Sequence, residues 1–456
     1  MKKRTRFRQY NRGQVLAFAP NPREWLPEGD LAYFIDEVVG TLDLGAIYAN
    51  YDNARGGQPP YHPLLMVSLL VYSYCMGIAS SRKIETATYH LVPLRVLCCD
   101  EHPDHDTIAE FRRRNLPALA GLFVQVLRLC QKAGLVKLGH VALDGTKVKA
   151  NASKHKSMSY GRMEKKAAEL EQQVASLLAK AESADQQEDA LYGKGNRGDE
   201  LPEELRFKQS RLKKIQQAKQ ALEQEARQEQ TEQAAKSKAW QNKPGRKGRP
   251  PKPATDKPDP KKQRNFTDPE SRIMPSQGKN NFIQGYNCQA AVDETSQIIV
   301  AAHVTQDTND KQQLKPLLEK IKSNLKGQLP KLLSADSGYF SEDNCTVLES
   351  QHVDGYISTG KHKHGQTVVE APRGRIPKTA TIKQRMSRKL RTKKGRCTYS
   401  KRKHIVEPVF GQIKQIRGFR QFSMRGHEIC QQEWDLIGLT HNILKLFRSS
   451  WTPAPA

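Results

Sequence analysis

Val141-Ala-Leu-Asp144-Gly-Thr-Lys-Val148 is a short apolar run that closes on a lone carboxylate, with a glycine and then Lys147 and Lys149 behind it. A buried strand that ends in Asp sets a negative charge at the rim of a sheet, where it needs a cation. The same Asp-Gly pair also serves ordinary turns, so the run alone leaves both readings open. Two later stretches favour the first. Leu332-Leu-Ser-Ala-Asp336-Ser-Gly-Tyr339 is again an apolar run closing on Asp, and Arg402-Lys-His-Ile-Val-Glu407-Pro-Val-Phe-Gly-Gln-Ile-Lys414 places a Glu on a helical stretch.

Outward from residue 144, the pattern predicts a strand over 138–144 and, after a long interruption, renewed β structure. Phe282-Ile-Gln-Gly-Tyr-Asn-Cys-Gln-Ala-Ala-Val-Asp293 alternates at Tyr286, Cys288, Ala290 and Val292. Glu294-Thr-Ser-Gln297 makes a tight turn and Ile298-Ile-Val-Ala-Ala-His-Val304 returns, which predicts an antiparallel hairpin. A helix over 311–325, a strand over 331–335, a helix over 341–350 and a strand over 354–358 follow, with closing helices over 404–416 and 427–448. With the interruption excised, three antiparallel strands and two parallel ones predict an α/β fold with an RNase-H-like mixed sheet. Asp144 on its central strand then lies beside Asp336 at the end of the fourth, and Glu407 enters from the helix packed across them.

The interruption is of a different kind. Residues 161–237 are rich in Glu, Gln, Lys and Ala with leucines at helical spacing, which predicts a long coiled-coil-like hairpin broken near Tyr192-Gly-Lys-Gly-Asn-Arg-Gly198. Such a helical pair is expected to bury its leucines by self-association or against DNA ends. Residues 238–265, containing Lys243-Pro-Gly-Arg-Lys-Gly-Arg-Pro-Pro-Lys-Pro253, read as a disordered basic linker. Its Lys247-Gly-Arg-Pro250 is similar to an AT-hook, which would set Arg249 in a narrow minor groove. Residues 361–399 carry much Lys and Arg with little periodicity and are expected to form a mobile basic loop.

Residues 1–135 are expected to form an all-α domain, with helices over 64–76, 80–89, 106–115 and 116–133. In the third of these, Thr107 and Glu110 have capping-box spacing, Ile108 and Phe111 face inward, and Arg112, Arg113 and Arg114 lie outside, as in a helix presented to DNA. A solvated basic face gives the same pattern. The catalytic sheet is thus expected over 136–160 and 266–448, with a disordered tail over 449–456.

Seventy-five Lys and Arg against 48 Asp and Glu give a net charge of +27 and a pI near 9.7. Self-repulsion of that size serves no small neutral substrate, whereas a polyanion would neutralise it and release counterions, so nucleic acid is the expected partner. Eight cysteines without C-x-x-C spacing read as reduced thiols in a cytosolic chain, and a nucleic-acid partner would keep that chain with the nucleoid. The longest apolar segment, 63–76, falls short of the roughly 20 residues that span a bilayer, so no membrane segment is expected. Three carboxylates suit phosphoryl chemistry on DNA: two Mg²⁺ ions about 3.5–4 Å apart favour hard oxygen ligands and stabilise the attacking and leaving oxygens, and Mn²⁺ is expected to substitute.

Tyr61-His-Pro63, Ser80-Ser-Arg82-Lys-Ile-Glu85, Pro103-Asp104 with Phe111-Arg112, Leu143-Asp-Gly-Thr146, Ala335-Asp-Ser-Gly-Tyr339 and Val406-Glu-Pro-Val-Phe-Gly-Gln-Ile-Lys414 together resemble the DDE transposases of bacterial insertion sequences, in the insertion-sequence-four/five superfamily. The resemblance implies that Asp144, Asp336 and Glu407, spaced by 192 and 71 positions, are the catalytic metal ligands. It also implies double-stranded DNA partners, namely terminal inverted repeats and a target, and a homodimer in the synaptic complex. Relatives carry Tyr-x-x-Arg-x-x-x-Glu-x-x-x-x-x-x-Lys around the glutamate. Lys414 is in register, but Ser400 and Lys403 stand at the Tyr and Arg positions, with Tyr399 and Arg402 one residue away. Either member of each pair could supply the phosphate contact. Pro408 is expected to start the helix near Val406 or to kink it. A DNA-binding or architectural protein with a vestigial site, and an RNase-H-like nuclease without strand transfer, are the alternatives.

Overall fold

The structure, a computed structural model, describes residues 21–51, 59–192, 203–242, 255, 257–276, 281–360, 371, 374–377 and 379–449. It divides into two units, Met1–Val136 with Leu436–Ala456, and Lys137–Asp435. The first unit thus includes a C-terminal segment from Leu436, whereas the all-α domain was expected over 1–135 alone.

In the first unit run α1 (Leu31–Gly40), α2 (Gly45–Tyr48), α3 (Pro63–Cys75), α4 (Ser81–His90), α5 (Val92–Leu97) and α6 (His105–Lys132). Asp30 starts α1 by accepting from the Ala32 amide, and α3 starts with proline at its first position, where no amide partner is needed. From Met66 to Cys75 every residue of α3 is buried, which explains why the stretch carries no charge: it is the centre of a helical core. No helix among the described residues is long and apolar enough to cross a membrane.

The two helices expected over 106–115 and 116–133 are one, the 28-residue α6. Pro117 lies on its exposed side and removes only the bond to the carbonyl of exposed Arg113, while Ile108, Phe111, Leu119, Phe123, Val126 and Leu127 keep one buried stripe running past it. Its cap also differs from expectation. Asp104 accepts from the Thr107 amide and hydroxyl, both at 2.8 Å, and Glu110 instead pairs with Arg113.

The second unit contains β1 (His140–Lys149), β2 (Ser157–Ser159), α7 (Tyr160–Tyr192), α8 (Glu203–Gln241), β3 (Gln263–Asn265), β4 (Arg272–Pro275), β5 (Phe282–Asp293), β6 (Ile299–Thr305), α9 (Leu314–Asn324), β7 (Leu332–Ala335), α10 (Glu342–Ser350), β8 (Asp354–Ile357), α11 (Ile382–Arg391) and α12 (Lys393–Gly411). α13 (His427–Arg448) begins here and continues, from Leu436, in the first unit. β4, β5, β1, β7 and β8 stand in that order, and β6 also pairs with β5. β5 and β6 are antiparallel to their neighbours, whereas β7 and β8 run parallel to β1, so the chain has the mixed RNase-H-like sheet of an α/β fold.

α7 and α8 bury Tyr160, Met163, Ala167 and Leu170 against Ile215, Ala218 and Leu222 at the base of the arm, so these apolar positions are satisfied within the pair. Further out, Leu178 and Phe207 are exposed. The break expected at 193–198 lies outside the described residues, as do Met1–Pro20, Lys243–Ala254 and the tail from Ser450. The expected linker is ordered at its end: β3 pairs with β2, and Lys262 and Arg264 grip Glu225 of α8.

The basic stretch read as a loop is helical from Ile382. Thr381 and Gln384 form a reciprocal capping box, and Thr392 caps the next helix by accepting from the Gly395 amide. α12 starts at Lys393 rather than near Val406, so Pro408 sits inside it. The His404 carbonyl that loses its helical donor to Pro408 accepts from Gln297 Nε2 at 2.8 Å, in the β5–β6 turn. Beyond the proline the helix widens into a π-helical turn over Gln412–Ile416.

Candidate active site

Strand register determines which acids meet. β1 pairs in parallel with β7, with Leu143 opposite Ala335, so Asp144 and Asp336 are the next residues along two neighbouring strands. β1 does not end at Asp144, as its sequence suggested. It continues on β5, with Asp144 opposite Ala290, to Lys149, but β7 stops at Ala335 and leaves Asp144 open on that side. Asp336 then turns the chain: its Oδ1 accepts from the Gly338 amide at 2.9 Å and caps a short 3-10 turn over Ser337–Tyr339.

Among the described residues, Asp144 is held by one counter-charge. Arg402 Nη1, from α12, donates to its Oδ2 at 3.0 Å, and the Gly145 amide donates to its Oδ1 at 2.8 Å. Burial, with the charge of Asp336 beside it, pushes the Asp144 carboxyl up to about 6 against the pull of Arg402. Two acids therefore share this rim. Arg402 keeps a buried Nε donor with no hydrogen-bond partner among the described residues.

α12 crosses the same rim. Arg402 touches Asp144, and Lys414 Nζ, carried by the π-helical turn, donates to Thr146 Oγ1 at 2.9 Å and to the Lys147 carbonyl at 3.1 Å. Glu407 lies between these two contacts along the helix but is exposed, about 140° around from Arg402. Among the described residues, no group of three or more His, Cys, Asp and Glu is gathered closely enough to hold a metal ion. The structure thus brings Asp144 and Asp336 together and leaves the Glu407 side chain turned to solvent.

Residues 254–443 match the family described as Transposase DDE domain, and residues 20–114 match the one described as Transposase domain (DUF772). The chain belongs to the DDE transposases of insertion sequences. No curated protein and no solved structure matches it. In this transposase Asp336 and Glu407 fall within the first matched stretch, while Asp144 and the arm lie between the two. DDE transposases cut and join DNA and generally use divalent metal ions.

The one-residue ambiguity in the transposase signature has a structural counterpart. Arg402 points into the site and Tyr399 lies beside it, with the guanidinium 5.9 Å from the ring centroid. Lys403 and Ser400 are exposed. Lys147 is half-buried, its Nζ donating to the Thr308 carbonyl at 3.0 Å, whereas Lys149 is exposed and its backbone pairs with residues 420–422. Arg249 lies outside the described residues.

The arginine triplet of α6 is split. Arg112 is 7 % exposed, and its Nη1 donates to the Tyr74 hydroxyl at 3.1 Å and the Ala79 carbonyl at 2.5 Å, so it ties the helical core together and cannot face a phosphate. The periodicity that buries Phe111 carries Arg112 in beside it. Arg113 and Arg114 are exposed, with Arg114 donating to the Asn50 carbonyl and lying 5.7 Å from the Tyr51 ring centroid. Arg112→Ala is therefore expected to cost about 1–3 kcal/mol in urea unfolding, because it strands buried partners, and Arg113→Ala to change stability by less than about 0.5 kcal/mol. Equal unfolding midpoints for the two variants would contradict this placement.

Sequence reading missed two features of the site. One is that the basic stretch expected as a loop is built into the helices α11 and α12: eleven Lys and Arg and no acid lie between Ile382 and Lys403, with Lys383, Arg385, Lys393, Lys394 and Lys403 exposed. The capping-box spacing of Thr381 and Gln384 was the available signal for that helix. The other is Asp310, in the loop after β6.

Proposed function

We propose that this transposase binds the terminal inverted repeats of its insertion sequence, hydrolyses a phosphodiester at the element's ends, and uses the freed 3′-hydroxyl to attack target DNA. The observation that carries the reading is the side-by-side placement of Asp144 and Asp336 at the open rim of an RNase-H-like sheet. Both are hard oxygen donors. Among the described residues the buried, raised Asp144 carboxyl has a single guanidinium for counter-charge, so the donor set fits a divalent cation. Asp144 and Asp336, joined by Glu407 once its exposed side chain turns in on DNA binding, would hold two Mg²⁺ ions, or Mn²⁺, which when bound supply charge stabilisation to the attacking and leaving oxygens.

The remaining groups bind and orient. Arg402, with its spare Nε donor, and Lys414 flank the acids and hold phosphates of the end DNA, while Tyr399 supports Arg402. Lys403, Lys149 and the exposed cations of α11 and α12 extend the track for the backbone, and Arg113, Arg114 and Arg249 add contacts elsewhere on the chain. Two copies, one per element end, assemble in the synaptic complex.

Strand transfer separates this reading from that of a simple nuclease. Labelled end fragments incubated with the full-length protein, Mg²⁺ and a plasmid should yield covalent end–plasmid joints. Cleavage of the ends with no joint, across Mg²⁺ and Mn²⁺ and with pre-cut ends, would overturn it in favour of hydrolysis alone.

A further inference from the structure

The loop after β6, Thr305-Gln-Asp-Thr-Asn-Asp310, brings a further carboxylate to the site. Asp310 Oδ1 accepts from Asn287 Nδ2 and Gln289 Nε2, each at 2.7 Å, and Lys147 Nζ stands 3.9 Å away. Asn287 is opposite Lys147 and Gln289 opposite Gly145 in the β1–β5 register, so these side chains share one face of the sheet. The loop is fastened there as well: Lys147 donates to the Thr308 carbonyl at 3.0 Å, and Asn287 to the Asp307 carbonyl at 3.1 Å.

The other end of this network is the turn that carries Asp336. The buried Tyr339 hydroxyl donates to Gln289 Oε1. Two glycines leave the room for it. A Cβ on Gly145, the residue after Asp144, would lie 2.9 Å from Asp310 Oδ1. A Cβ on Gly338 would lie 3.2 Å from Asp310 Oδ2 and 3.0 Å from Asp336 Oδ1, so the two carboxylates face one another across a residue that has no side chain.

We propose that Asp310 is a positioning residue of the catalytic centre, whose charge fixes Lys147 and whose link through Gln289 and Tyr339 sets the turn that aims Asp336. This rests on the proposed role of Asp144 and Asp336. A carboxylate aimed wrongly by a fraction of an ångström loses much of its effect on a displacement reaction, and groups that orient metal-binding side chains carry a comparable share. Asp307, one turn earlier in the loop, is instead engaged with Gln313 Nε2 at 2.7 Å.

Asp310→Asn tests this with little change of shape. In the full-length protein it should melt with the wild type and bind end DNA with unchanged KM, while kcat for end cleavage falls about 100-fold. Half-saturation with Mn²⁺, read by electron paramagnetic resonance of the free ion, should rise about tenfold. A kcat within about threefold of wild type, with unchanged Mn²⁺ half-saturation, would overturn the proposal. If Asp310→Asn does not fold, Tyr339→Phe takes its place: it keeps every acid, cuts the far end of the link, and should lower kcat about tenfold, a wild-type kcat counting against the idea. Asp336→Asn run alongside separates the two levels. If Asp336→Asn also stays active, the assignment of the metal site fails. If it is dead while Asp310→Asn is fully active, only the role of Asp310 fails.

Discussion

Asp144→Ala is expected to lower end cleavage and strand transfer by at least about 10³-fold, while binding to end DNA stays within about threefold of wild type. The size follows from what this carboxylate does. Charge stabilisation of the attacking and leaving oxygens is worth several kcal/mol, each 1.36 kcal/mol being a factor of ten in rate, and Asp144 is a largely buried acid at the rim. Binding should persist because the exposed cations of α11 and α12 do not depend on residue 144. The variant leaves the buried Arg402 guanidinium without its carboxylate, so it should melt below the wild type, and Asp144→Asn, which keeps an oxygen for Arg402, is assayed beside it. Gel shift and cleavage on the same preparation check this, and parallel loss of both would show that Asp144 holds the fold or the DNA.

The second large effect is expected at Arg402. Its side chain is 11 % exposed and that of Asp144 21 %, so Arg402→Ala leaves a largely buried carboxylate without its cation. Breaking such a pair costs about 3 kcal/mol in the metal-free protein, whereas Lys403→Ala, at an exposed position, should change stability by no more than about 0.5 kcal/mol. Because the guanidinium and a divalent ion would compete for the same oxygens, Mg²⁺ should raise the melting temperature of Arg402→Ala more than that of the wild type. Adding Asp144→Asn should recover most of the loss, since the uncompensated charge is then gone. Indistinguishable melting curves for Arg402→Ala and Lys403→Ala would refute the pairing and reopen the choice between the two residues.

The sheet was legible because its strands are either apolar runs or clean alternations. β5 and β6 show period two around a tight turn, and β7 and β8 are short buried runs, as parallel strands covered on both faces must be. β2, β3 and β4 were missed, being three or four residues long and set by their partners rather than by pattern. Both helices with internal proline were misread for one reason. Proline removes a single hydrogen bond, and in α6 that bond lies on an exposed face, while in α12 Gln297 supplies a replacement donor. Nothing local announces such a rescue.

The site divides in the same way. Asp144 and Asp336 stood out because each terminates the apolar stretch of a strand, so sequence position and sheet rim coincide. Asp310 sits in a polar loop whose composition is that of any turn, and it gains meaning only once the β1–β5 register sets Asn287, Gln289 and Lys147 around it. Arg112 shows the converse: three consecutive arginines look alike in sequence, but helical geometry turns one of them inward.

The central claim is that residues 144, 336 and 407 act on one set of ions, and iron-directed cleavage of the polypeptide addresses it most directly. Fe²⁺ loaded in place of Mg²⁺ onto the full-length protein with end DNA, then treated with ascorbate and peroxide, cuts the backbone nearest the bound ion. Shared ions should give cuts beside Asp144, Asp336 and Glu407 that excess Mg²⁺ suppresses together. Cuts beside Asp144 and Asp336 with none near Glu407, in DNA-bound protein that is active with Mg²⁺, would contradict it.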